Sequence, residues 1–470
     1  MIVTSARAHN YHVHSAYYRL LLVDGLVFVG AFYLAAFLYF LPEPGGLHGH
    51  LSGVPVRAII FALASVGSLM AMGLYQPRMR EGTSGILLRT TGAFTIVLIT
   101  MSLIFYLFPE LYLWRGIFLY TTAVAFVFSL ITRSIFIRLV NLGQLKTQIL
   151  VYGSGEAANA IITSMRRKAD RQGFSIVGFV HTEGEEVRIP SDHLLELNLP
   201  LPEFVAKHNI AQIVVAVSDK RTQTPVNELV QCRMNGVEII GLVNFFQQQA
   251  GKILVDFITP GWLIYSAGFK SGDKSRLRKR SFDIVTSFFL VMLTWPIMLL
   301  TVFAIWLEDG FRAPIVFRQN RVGLHGKVFQ VLKFRSMTVD AEGDGKARWA
   351  TSNDSRITRV GRFIRKVRID ELPQIINVLA GDMAFIGPRP ERPEFVHELA
   401  EEIPFYDVRH SVKPGITGWA QLCYPYGATT EDSKQKLQFD LYYVKNHNLF
   451  LDFMILLTTV EVILFGKGAR

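Results

Sequence analysis

The sequence predicts a membrane protein with three parts, on the basis of its composition and of two changes of pattern along the chain. We expect a unit of four transmembrane helices (1–145), a Rossmann-like α/β middle domain (146–273), and a re-entrant membrane helix with a cytosolic α/β domain (274–470). The 470 residues are 50% hydrophobic and only 19% charged, whereas soluble domains carry about 25% charged residues. The composition argues against a purely soluble, a disordered or a fibrous chain.

The apolar residues of the N-terminal third are concentrated in four runs, at 20–41, 56–75, 86–108 and about 113–132. Each run is close to the ~20 residues with which a helix spans a bilayer. A cleavable signal peptide is disfavoured, because the first run is too long and no small-residue cleavage site follows it. Buried core helices are the alternative interpretation. Asp24 lies inside the first run, where a carboxylate needs a polar partner or a position at the interface.

Basic residues beside the four runs predict the orientation of this unit. They collect before the first run, between the second and third, and after the fourth: Arg7, Arg19, Arg78, Arg80, Arg89, Arg133, Arg138 and Lys146. The other two loops carry only Arg57 and Arg115. Since Lys and Arg mark the cytoplasmic edges of membrane helices, we expect both ends of the unit to face the cytoplasm.

The net charge of +11 comes from 49 Lys and Arg against 38 Asp and Glu. Such a balance suits nucleic acid, an anionic membrane surface or phosphorylated substrates. No DNA-reading motif accompanies the charge, so we expect no nucleic-acid partner. The two cysteines, Cys232 and Cys423, form neither a disulfide framework nor a metal-spacing motif.

From about residue 146 the pattern is that of a soluble α/β domain. QILVYGSGEAANAIITSM indicates a strand, a glycine turn and a helix, and three further segments indicate strands: FSIVGFV, QIVVAVS and VEIIGLV. Gly153 and Gly155 fit the G-x-G-x-x-A turn that approaches a dinucleotide pyrophosphate. The segment near His181 and Glu183 does not clearly supply the acidic residue that binds the ribose of a dinucleotide. Residues 146–270 also lack the Tyr-x-x-x-Lys pair that a sugar-nucleotide dehydratase on this fold would need. We therefore favour a regulatory or structural module without a catalytic dinucleotide.

A basic run, KSRLRKR at 274–280, precedes a fifth apolar run at 281–307. The basic run fits either a solvated linker or, beside an apolar helix, a contact with anionic headgroups. Pro296 lies near the middle of the apolar run, where it removes a helix hydrogen bond and forces a bend. A spanning helix would place 308–470 outside the cytoplasm, although that segment is rich in Arg and Lys. We therefore expect a re-entrant helix, which enters and leaves on one face.

An acidic pair, Asp370 and Glu371, begins a segment with the i, i+3, i+4, i+7 spacing of an amphipathic helix, carried by Leu372, Ile375, Ile376 and Leu379. Pro373 is tolerated only in a first turn, so we expect the helix to begin near Asp370, with Asp370 as its N-cap. Adjacent helical residues point about 100° apart, so the two carboxylates cannot have the same role. A capping Asp and a solvated Glu are the plain alternative.

Cations flank the acidic pair on both sides in the sequence. Upstream lie Lys333, Arg335, Arg362, Arg365, Lys366 and Arg368. Downstream, Gly387-Pro388-Arg389-Pro390 predicts a rigid turn that presents Arg389. Guanidinium groups clamp phosphate oxygens, and Mg²⁺ bridges phosphate and carboxylate. The pattern therefore predicts a phosphoryl-transfer site.

Five motifs occur in a characteristic order within about 274–470: KFRSM (333–337), RIDELPQIINVLAGDM (368–383), GPRP (387–390), KPGITGWAQ (413–421) and FDLYYVKN (439–446). In these motifs the chain resembles the bacterial polyprenyl-phosphate sugar-1-phosphate transferases, also called monotopic phosphoglycosyl transferases. With its four-helix unit and nucleotide-fold module it is similar to their large subclass, which makes exopolysaccharide or O-antigen carriers.

The resemblance implies a two-step reaction in which Asp370 is the nucleophile. Asp370 would attack the sugar-linked phosphate of a UDP-sugar, UMP would leave, and undecaprenyl phosphate would take the sugar phosphate from the covalent aspartyl intermediate. Glu371 would serve as a metal partner or as a base for the lipid phosphate. Mg²⁺ is the implied cofactor, with Asp370 and Glu371 as its ligands. The implied phosphate-binding residues are Lys333, Arg335, Arg365 and Arg389, with Asp440 as a further polar candidate.

The resemblance also implies the surroundings of the enzyme. The break at Pro296 matches the family's re-entrant helix and would hold the catalytic domain on the cytoplasmic face of the bacterial inner membrane, in contact with lipid. A homodimer is expected. Arg368 stands where many small relatives carry a small residue, and its role is open. The apolar run 449–465 contains Asp452 and Glu461, and we expect it to be an interfacial amphipathic helix.

One alternative belongs to another functional class. The chain could be a membrane-anchored nucleotide-binding sensor or an assembly scaffold for polysaccharide synthesis, with a degenerate C-terminal domain. The intact set of Lys333, Asp370, Glu371 and Arg389 argues against degeneracy. The sequence does not identify the sugar.

Overall fold

The computed structural model of the chain forms two compact units, Met1–Phe245 and Phe246–Arg470, a coarser division than the three predicted domains. The residues it describes are 15–40, 54–75, 83–111, 115–141, 146–165, 171, 173–182, 184–217, 225–266, 268–269, 273–310, 313–338, 356–425, 427 and 429–465. Arg7, Arg78 and Arg80 of the predicted orientation, and Glu183, lie outside these residues.

The first unit opens with four apolar helices, as the sequence predicts: α1 (Ser15–Phe40), α2 (Val54–Ala71), α3 (Thr83–Leu107) and α4 (Arg115–Asn141). Each is long and apolar enough to cross a membrane, by length and composition. Large side chains such as Leu26, Leu63 and Leu119 remain more than 60% exposed, which suits a lipid environment. These helices indicate a membrane protein.

Asp24 has the polar partner that its position in an apolar helix requires. The side chain is fully buried, and Arg133 of α4 lies 2.8 Å from its carboxylate. Tyr75 and Thr132 donate further hydrogen bonds to it, of 2.7 and 3.0 Å. An ion pair inside apolar helices is stable only with such additional bonds, so the cluster fixes α1 against α4.

The rest of the first unit is an α/β fold. In chain order it comprises β1 (Thr147–Tyr152), α5 (Glu156–Ser164), β2 (Phe174–Val180), β3 (Leu194–Leu195), α6 (Leu201–Lys207), β4 (Gln212–Val215), α7 (Val226–Met234), β5 (Glu238–Gly241) and α8 (Leu242–Gln249). Among the described residues the strands form one parallel sheet in the order β3-β2-β1-β4-β5. The predicted parallel sheet is confirmed. Its central strands carry continuous apolar runs because helices cover both faces.

The second unit is mainly helical. In chain order it comprises α9 (Pro260–Tyr265), α10 (Asp273–Asp309), β6 (Val316–Val322), β7 (Val328–Phe334), α11 (Arg359–Lys366), α12 (Gln374–Ala380), β8 (Ala384–Ile386), α13 (Pro393–Glu402), β9 (Gly415–Thr417), α14 (Trp419–Cys423), α15 (Thr430–Asn446) and α16 (Leu449–Phe465). An antiparallel hairpin joins β6 and β7, and β8 pairs in parallel with β9. The apolar core lies between β7, α11, α12 and the end of α10.

The fifth apolar run forms the long helix α10, which continues through Pro296 without an interruption. Both ends of α10 contact the second unit. Near its start, Arg280 donates to the carbonyl groups of Val378 and Leu379 at the end of α12. Near its end, Ile305 packs into the core between β7 and α11. Large apolar side chains between the two contacts are exposed, among them Phe288, Phe289, Leu293 and Leu300.

The basic run, which forms the first turns of α10, is only partly available for lipid headgroups, because Lys279 and Arg280 bind protein groups. Lys279 Nζ lies 2.9 Å from the buried carboxylate of Asp452 in α16 and donates to Tyr443 at 3.1 Å. Asp452, one of the two polar residues that suggested an interfacial helix, therefore faces the protein. The interfacial position of α16 stays a prediction.

Candidate active site

The acidic pair lies in a tight turn between α11 and α12. Arg368 adopts the left-handed conformation, with φ of 62°, and Ile369–Glu371 form one 3-10 turn. The expected helix start at Asp370 is wrong: α12 begins at Gln374, and no side chain caps it. The positive φ at Arg368 reverses the chain after α11. The turn therefore closes with hydrogen bonds between residues three apart instead of the four-residue spacing of an α-helix.

Glu371 is the centre of a cluster of cations. Its Oε1 accepts a hydrogen bond of 2.7 Å from Arg389 Nη2, and the Lys333 ammonium lies 3.4 Å and the Arg368 guanidinium 3.6 Å away. Burial alone would raise the pKa of Glu371, but Arg389, Lys333 and Arg368 together hold this pKa well below its usual range. Glu371 is therefore ionised throughout the neutral pH range.

Asp370 has a different environment from its neighbour. The residue is only 8% exposed, and its Oδ1 has no hydrogen-bond partner among the described residues. Burial and the charge of Glu371 raise the pKa of Asp370, while Lys333 and Arg365 oppose this shift. A buried carboxylate oxygen without a partner is costly in a stable structure, and such atoms occur where a site performs chemistry.

The predicted cations lie at different distances from the pair. Lys333 comes from the end of β7, and its pKa is lowered by burial against the opposing effect of Glu371. Arg365 lies in the last turn of α11 and acts on Asp370 through its charge. Arg335 follows β7, is buried, and donates its backbone amide to Ile315. The structure thus brings Lys333 and Arg389 into contact with Glu371, and Arg365 acts on Asp370 through its charge. Arg335 lies two residues after Lys333 in the chain.

The turn that presents Arg389 is held by the KPGITGWAQ segment. The Gly387 amide donates to Thr417 at 2.9 Å, and the Gly415 amide donates to Pro388 at 2.9 Å. A Cβ atom at Gly387 or Gly415 would collide with the backbone of the other segment. Glycine is required at both positions because the two backbones approach so closely. Two motifs that are distant in sequence therefore form one support for Arg389.

Asp440 does not lie among the cations that could bind phosphate, which corrects the expected role. It is 2% exposed in α15, and its carboxylate pairs with Arg409 at 2.8 Å. Burial raises the pKa of Asp440 to about 6, although Arg409 opposes the shift. The same guanidinium donates to the Arg389 carbonyl at 2.9 Å, so Asp440 reaches the site only through Arg409.

Arg409 was not identified from the sequence. The signal was indirect, because a carboxylate such as Asp440 in the apolar FDLYYV segment requires a buried cation. Which of the many arginines supplies the cation depends on the packing of α15 against the segment Tyr406–Ser411.

The carboxylates can hold a metal only with help from a substrate. No cluster of three or more metal-binding side chains occurs in the described part of the chain. Asp370 Oδ1 has no partner, while Glu371 Oε1 already faces three cations. Mg²⁺ typically binds through one or two carboxylates, with substrate phosphates and water as its other ligands. Asp370 and Glu371 fit this manner of binding.

The glycine turn of the middle domain is closed by the protein itself. The amides of Ser154 and Gly155 donate to one oxygen of Glu185, at 3.1 and 3.2 Å. Thr182 donates to the same oxygen at 2.8 Å. Gly153, with φ of 132°, has no room for a Cβ atom against the backbone of Ala216. The predicted turn is present, but a carboxylate occupies the position that a ligand phosphate would take.

Comparisons with known proteins agree with this arrangement. Residues 274–466 match the family described as bacterial sugar transferase, and residues 70–240 match one described as a CoA-binding domain. The chain is 41% identical over 242 residues to the UDP-N-acetylgalactosamine-undecaprenyl-phosphate N-acetylgalactosaminephosphotransferase of Aeromonas hydrophila, covering 52% of this chain and 56% of that protein.

Two further relatives extend the similarity toward the N-terminus. The undecaprenyl-phosphate glucose phosphotransferase of Komagataeibacter xylinus is 31% identical over 336 residues, which are 69% of this chain and 60% of that protein. The undecaprenyl-phosphate galactose phosphotransferase of Salmonella typhimurium is 30% identical over 377 residues, which are 76% of each chain. The chain thus spans less than two thirds of the first two relatives and about three quarters of the third.

Proposed function

Because the chain belongs to the bacterial sugar transferase family, the polyprenyl-phosphate sugar-1-phosphate transferases, we propose that it transfers a sugar 1-phosphate from a UDP-sugar to undecaprenyl phosphate. UMP is the other product, and the reaction begins exopolysaccharide or O-antigen synthesis. The observation that carries the proposal is the pairing of Asp370, with an unpartnered buried oxygen, and Glu371, with three cations.

Asp370 is the nucleophile of the proposed reaction. Its Oδ1 forms a bond to the sugar-linked phosphorus while the bond from that phosphorus to the UMP oxygen breaks, and UMP leaves with the electron pair. An oxygen of undecaprenyl phosphate then attacks the same phosphorus, and the Asp370 carboxylate is released. A carboxylate without hydrogen bonds reacts readily, since it need not give up a partner before it attacks.

The cations around the pair bind and orient the diphosphate. Arg389 and Lys333 already lie beside Glu371, so a substrate phosphate can share them at little cost in reorganisation. Glu371 pairs with both side chains and so fixes their position beside the acidic pair. Arg365 adds positive charge near Asp370. Mg²⁺, held by Asp370 and Glu371, would neutralise charge on the diphosphate.

The catalytic domain is proposed to lie on the cytoplasmic face of the inner membrane. The basic residues beside the four apolar helices support an orientation with both ends in the cytoplasm, and a re-entrant α10 would keep the domain on that face. Both ends of α10 contact the same unit, while the apolar side chains between them are exposed. This arrangement supports re-entrance, since a spanning helix separates its ends by the membrane thickness. A bend at Pro296, where α10 continues without an interruption, stays a prediction. A homodimer stays a prediction.

The middle domain is proposed to have a regulatory or structural role. The match of residues 70–240 to a family described as a CoA-binding domain makes CoA a candidate ligand. The carboxylate of Glu185, however, already occupies the position in the glycine turn where a ligand phosphate would bind. The alternative for the whole chain, a nucleotide-binding sensor or scaffold, requires an inactive C-terminal domain.

The proposal is tested by UMP release. Purified full-length protein is incubated with undecaprenyl phosphate, Mg²⁺ and a panel of UDP-sugars. We expect UMP from one or a few donors, and we expect Asp370→Asn to lower turnover at least about a thousandfold, because the nucleophile is lost. Asp192→Asn, a carboxylate of the middle domain that lies outside the five motifs and is 76% exposed, is the matched control and should keep wild-type turnover. Near-normal turnover in Asp370→Asn contradicts the mechanism, and a wild-type protein inactive with every donor favours the sensor or scaffold.

A further inference from the structure

A buried carboxylate of the long helix α10 is bonded to the strand that leads to Arg389. In β8 the Ala384 amide donates to the Pro414 carbonyl at 2.8 Å. The next amide, that of Phe385, donates instead to Asp283 Oδ1 of α10, at 2.9 Å. Asp283 is only 3% exposed, and a buried amide that loses its acceptor is costly. This bond therefore fixes β8 to α10.

Lys279, one turn earlier on α10, holds the same strand. Residues four apart lie on one face of a helix, so Lys279 and Asp283 both face β8. Lys279 Nζ donates to the Ile386 carbonyl oxygen at 3.0 Å and is itself paired with Asp452. The Tyr443 hydroxyl donates to the same carbonyl at 3.0 Å. Side chains of α10 thus bind two consecutive residues of β8.

The position of β8 sets the position of the Arg389 turn (387–390). Only one glycine and one proline separate Ile386 from Arg389, and proline fixes its own φ. Ile386 is fully buried, so β8 cannot shift freely. Arg389 Nη2 donates to Glu371 Oε1 at 2.7 Å, and a displacement of about 1 Å would break this hydrogen bond.

The other end of α10 holds the acidic turn (369–371). Glu308 accepts hydrogen bonds of 2.6 and 3.0 Å from the Arg359 and Val360 amides, the first two of α11. Such amides have no acceptor within their own helix, and a carboxylate suits the positive end of a helix. Ile305, three residues before Glu308, belongs to the apolar cluster against which Ile369 packs. The same helix thus supports both halves of the site.

We propose that α10 is the frame of the transfer site, with Asp283 as the positioning residue of the Arg389 turn and Glu308 as that of the acidic turn. Each acts through backbone amides of another element. Binding of the diphosphate by Arg389 then depends on Asp283, and the placement of the nucleophile depends on Glu308. The proposal rests on the proposed function, because it assigns both residues to that reaction.

The main test compares Asp283→Ala, which removes the acceptor, with Asp283→Asn, which keeps an oxygen for the Phe385 amide. Full-length proteins in lipid nanodiscs are assayed for UMP release at fixed undecaprenyl phosphate, with the UDP-sugar that the wild type uses. We expect Asp283→Ala to raise the donor KM about tenfold, and Asp283→Asn to stay within about threefold of wild type. A loss of folded protein lowers the apparent kcat and leaves KM unchanged, so KM separates positioning from stability.

Glu308 is tested in the same assay. Glu308→Ala should lower kcat about fivefold to tenfold with little change in the donor KM, because it disturbs the turn that carries the nucleophile. Glu308→Gln keeps one acceptor oxygen and should recover much of this loss. The matched control is Ser287→Ala, one turn beyond Asp283: Ser287 is buried, and its hydroxyl has no hydrogen-bond partner among the described residues. It should keep both kinetic parameters.

Hydrogen–deuterium exchange makes the test independent of the transfer reaction. The peptide that covers 384–389 should exchange about tenfold faster in Asp283→Ala, and at the wild-type rate in Asp283→Asn and Ser287→Ala. Unchanged exchange in Asp283→Ala, or faster exchange with an unchanged KM, overturns the role of Asp283. Equal KM increases in Asp283→Ala and Asp283→Asn also contradict it. If wild-type protein releases no UMP from any donor, the proposed function fails, while the exchange still shows whether α10 holds β8.

Discussion

At the scale of single residues, Asp370 and Glu371 are neighbours with opposite environments. The sequence indicates that they cannot share one role, but it does not say which of them keeps a free oxygen. The assignment depends on the left-handed Arg368, which sets the turn, and on Arg389, which comes from another segment. A motif pattern identifies the reacting groups, whereas their hydrogen bonds follow from tertiary packing.

Arg409 is expected to act through Arg389, which it holds by the backbone carbonyl. Arg409→Lys keeps a positive charge beside Asp440 but removes the planar guanidinium, whose Nη2 donates to both Asp440 and the Arg389 carbonyl while its Nη1 donates to Tyr406. We expect kcat to fall about tenfold to a hundredfold, because a small misplacement of a phosphate-binding group has this effect. In an Arg389→Ala background, the same change should have little further effect. Initial rates of UMP release in the four combinations measure this coupling.

The control for Arg409 is Arg392→Lys, which changes a partly buried arginine paired with Glu394. It should leave kcat near that of the wild type. Size-exclusion profiles confirm that each variant is folded. Equal losses from Arg409→Lys with and without Arg389 would show that Arg409 acts independently of it.

At the scale of elements, the glycine turn before α5 shows how a recognised motif can have an unexpected occupant. Strand, glycines and helix are all present as predicted. Glu185 lies five residues beyond the end of β2 and folds back onto the turn. The sequence shows the phosphate-binding geometry, but only the fold shows that a carboxylate fills it.

Glu185→Gln is expected to loosen this turn without affecting the transfer reaction. A neutral amide oxygen accepts weaker hydrogen bonds than a carboxylate, so the Ser154 and Gly155 amides lose protection. Hydrogen–deuterium exchange of the peptide around residues 153–158 should become about tenfold faster, while UMP release stays within about twofold of wild type. The matched control is Glu186→Gln, whose side chain is 79% exposed. Unchanged exchange in Glu185→Gln contradicts the closed turn, as does new protection of wild-type protein on addition of CoA.

The helices and strands differ in how far the sequence predicts them. Long apolar runs predict α1 to α4 and α10 because a membrane helix needs little tertiary information. The start of α12 is displaced from Asp370 to Gln374 because the turn at Arg368 overrides the local helical pattern. The pairing of β8 with β9 joins segments about 30 residues apart and has no local signal.

At the scale of the whole molecule, the composition reflects one task. The apolar excess resides in α1 to α4 and in the exposed middle of α10. Part of the positive charge surrounds Glu371, and part flanks the apolar segments in the sequence. Under the proposed function, the enzyme must bring a soluble sugar nucleotide and a lipid phosphate to one carboxylate, so both features would serve the same reaction.

The most direct test of the account is to trap the covalent intermediate. The full-length protein is incubated with Mg²⁺ and the radiolabelled UDP-sugar that supports UMP release, without lipid acceptor, and is then denatured and digested. We expect up to one phosphosugar per chain on the peptide that contains Asp370, released again when undecaprenyl phosphate is added before denaturation. Asp370→Asn should carry no label. Label on another residue, or transfer to lipid without any labelled protein, would contradict Asp370 as the nucleophile.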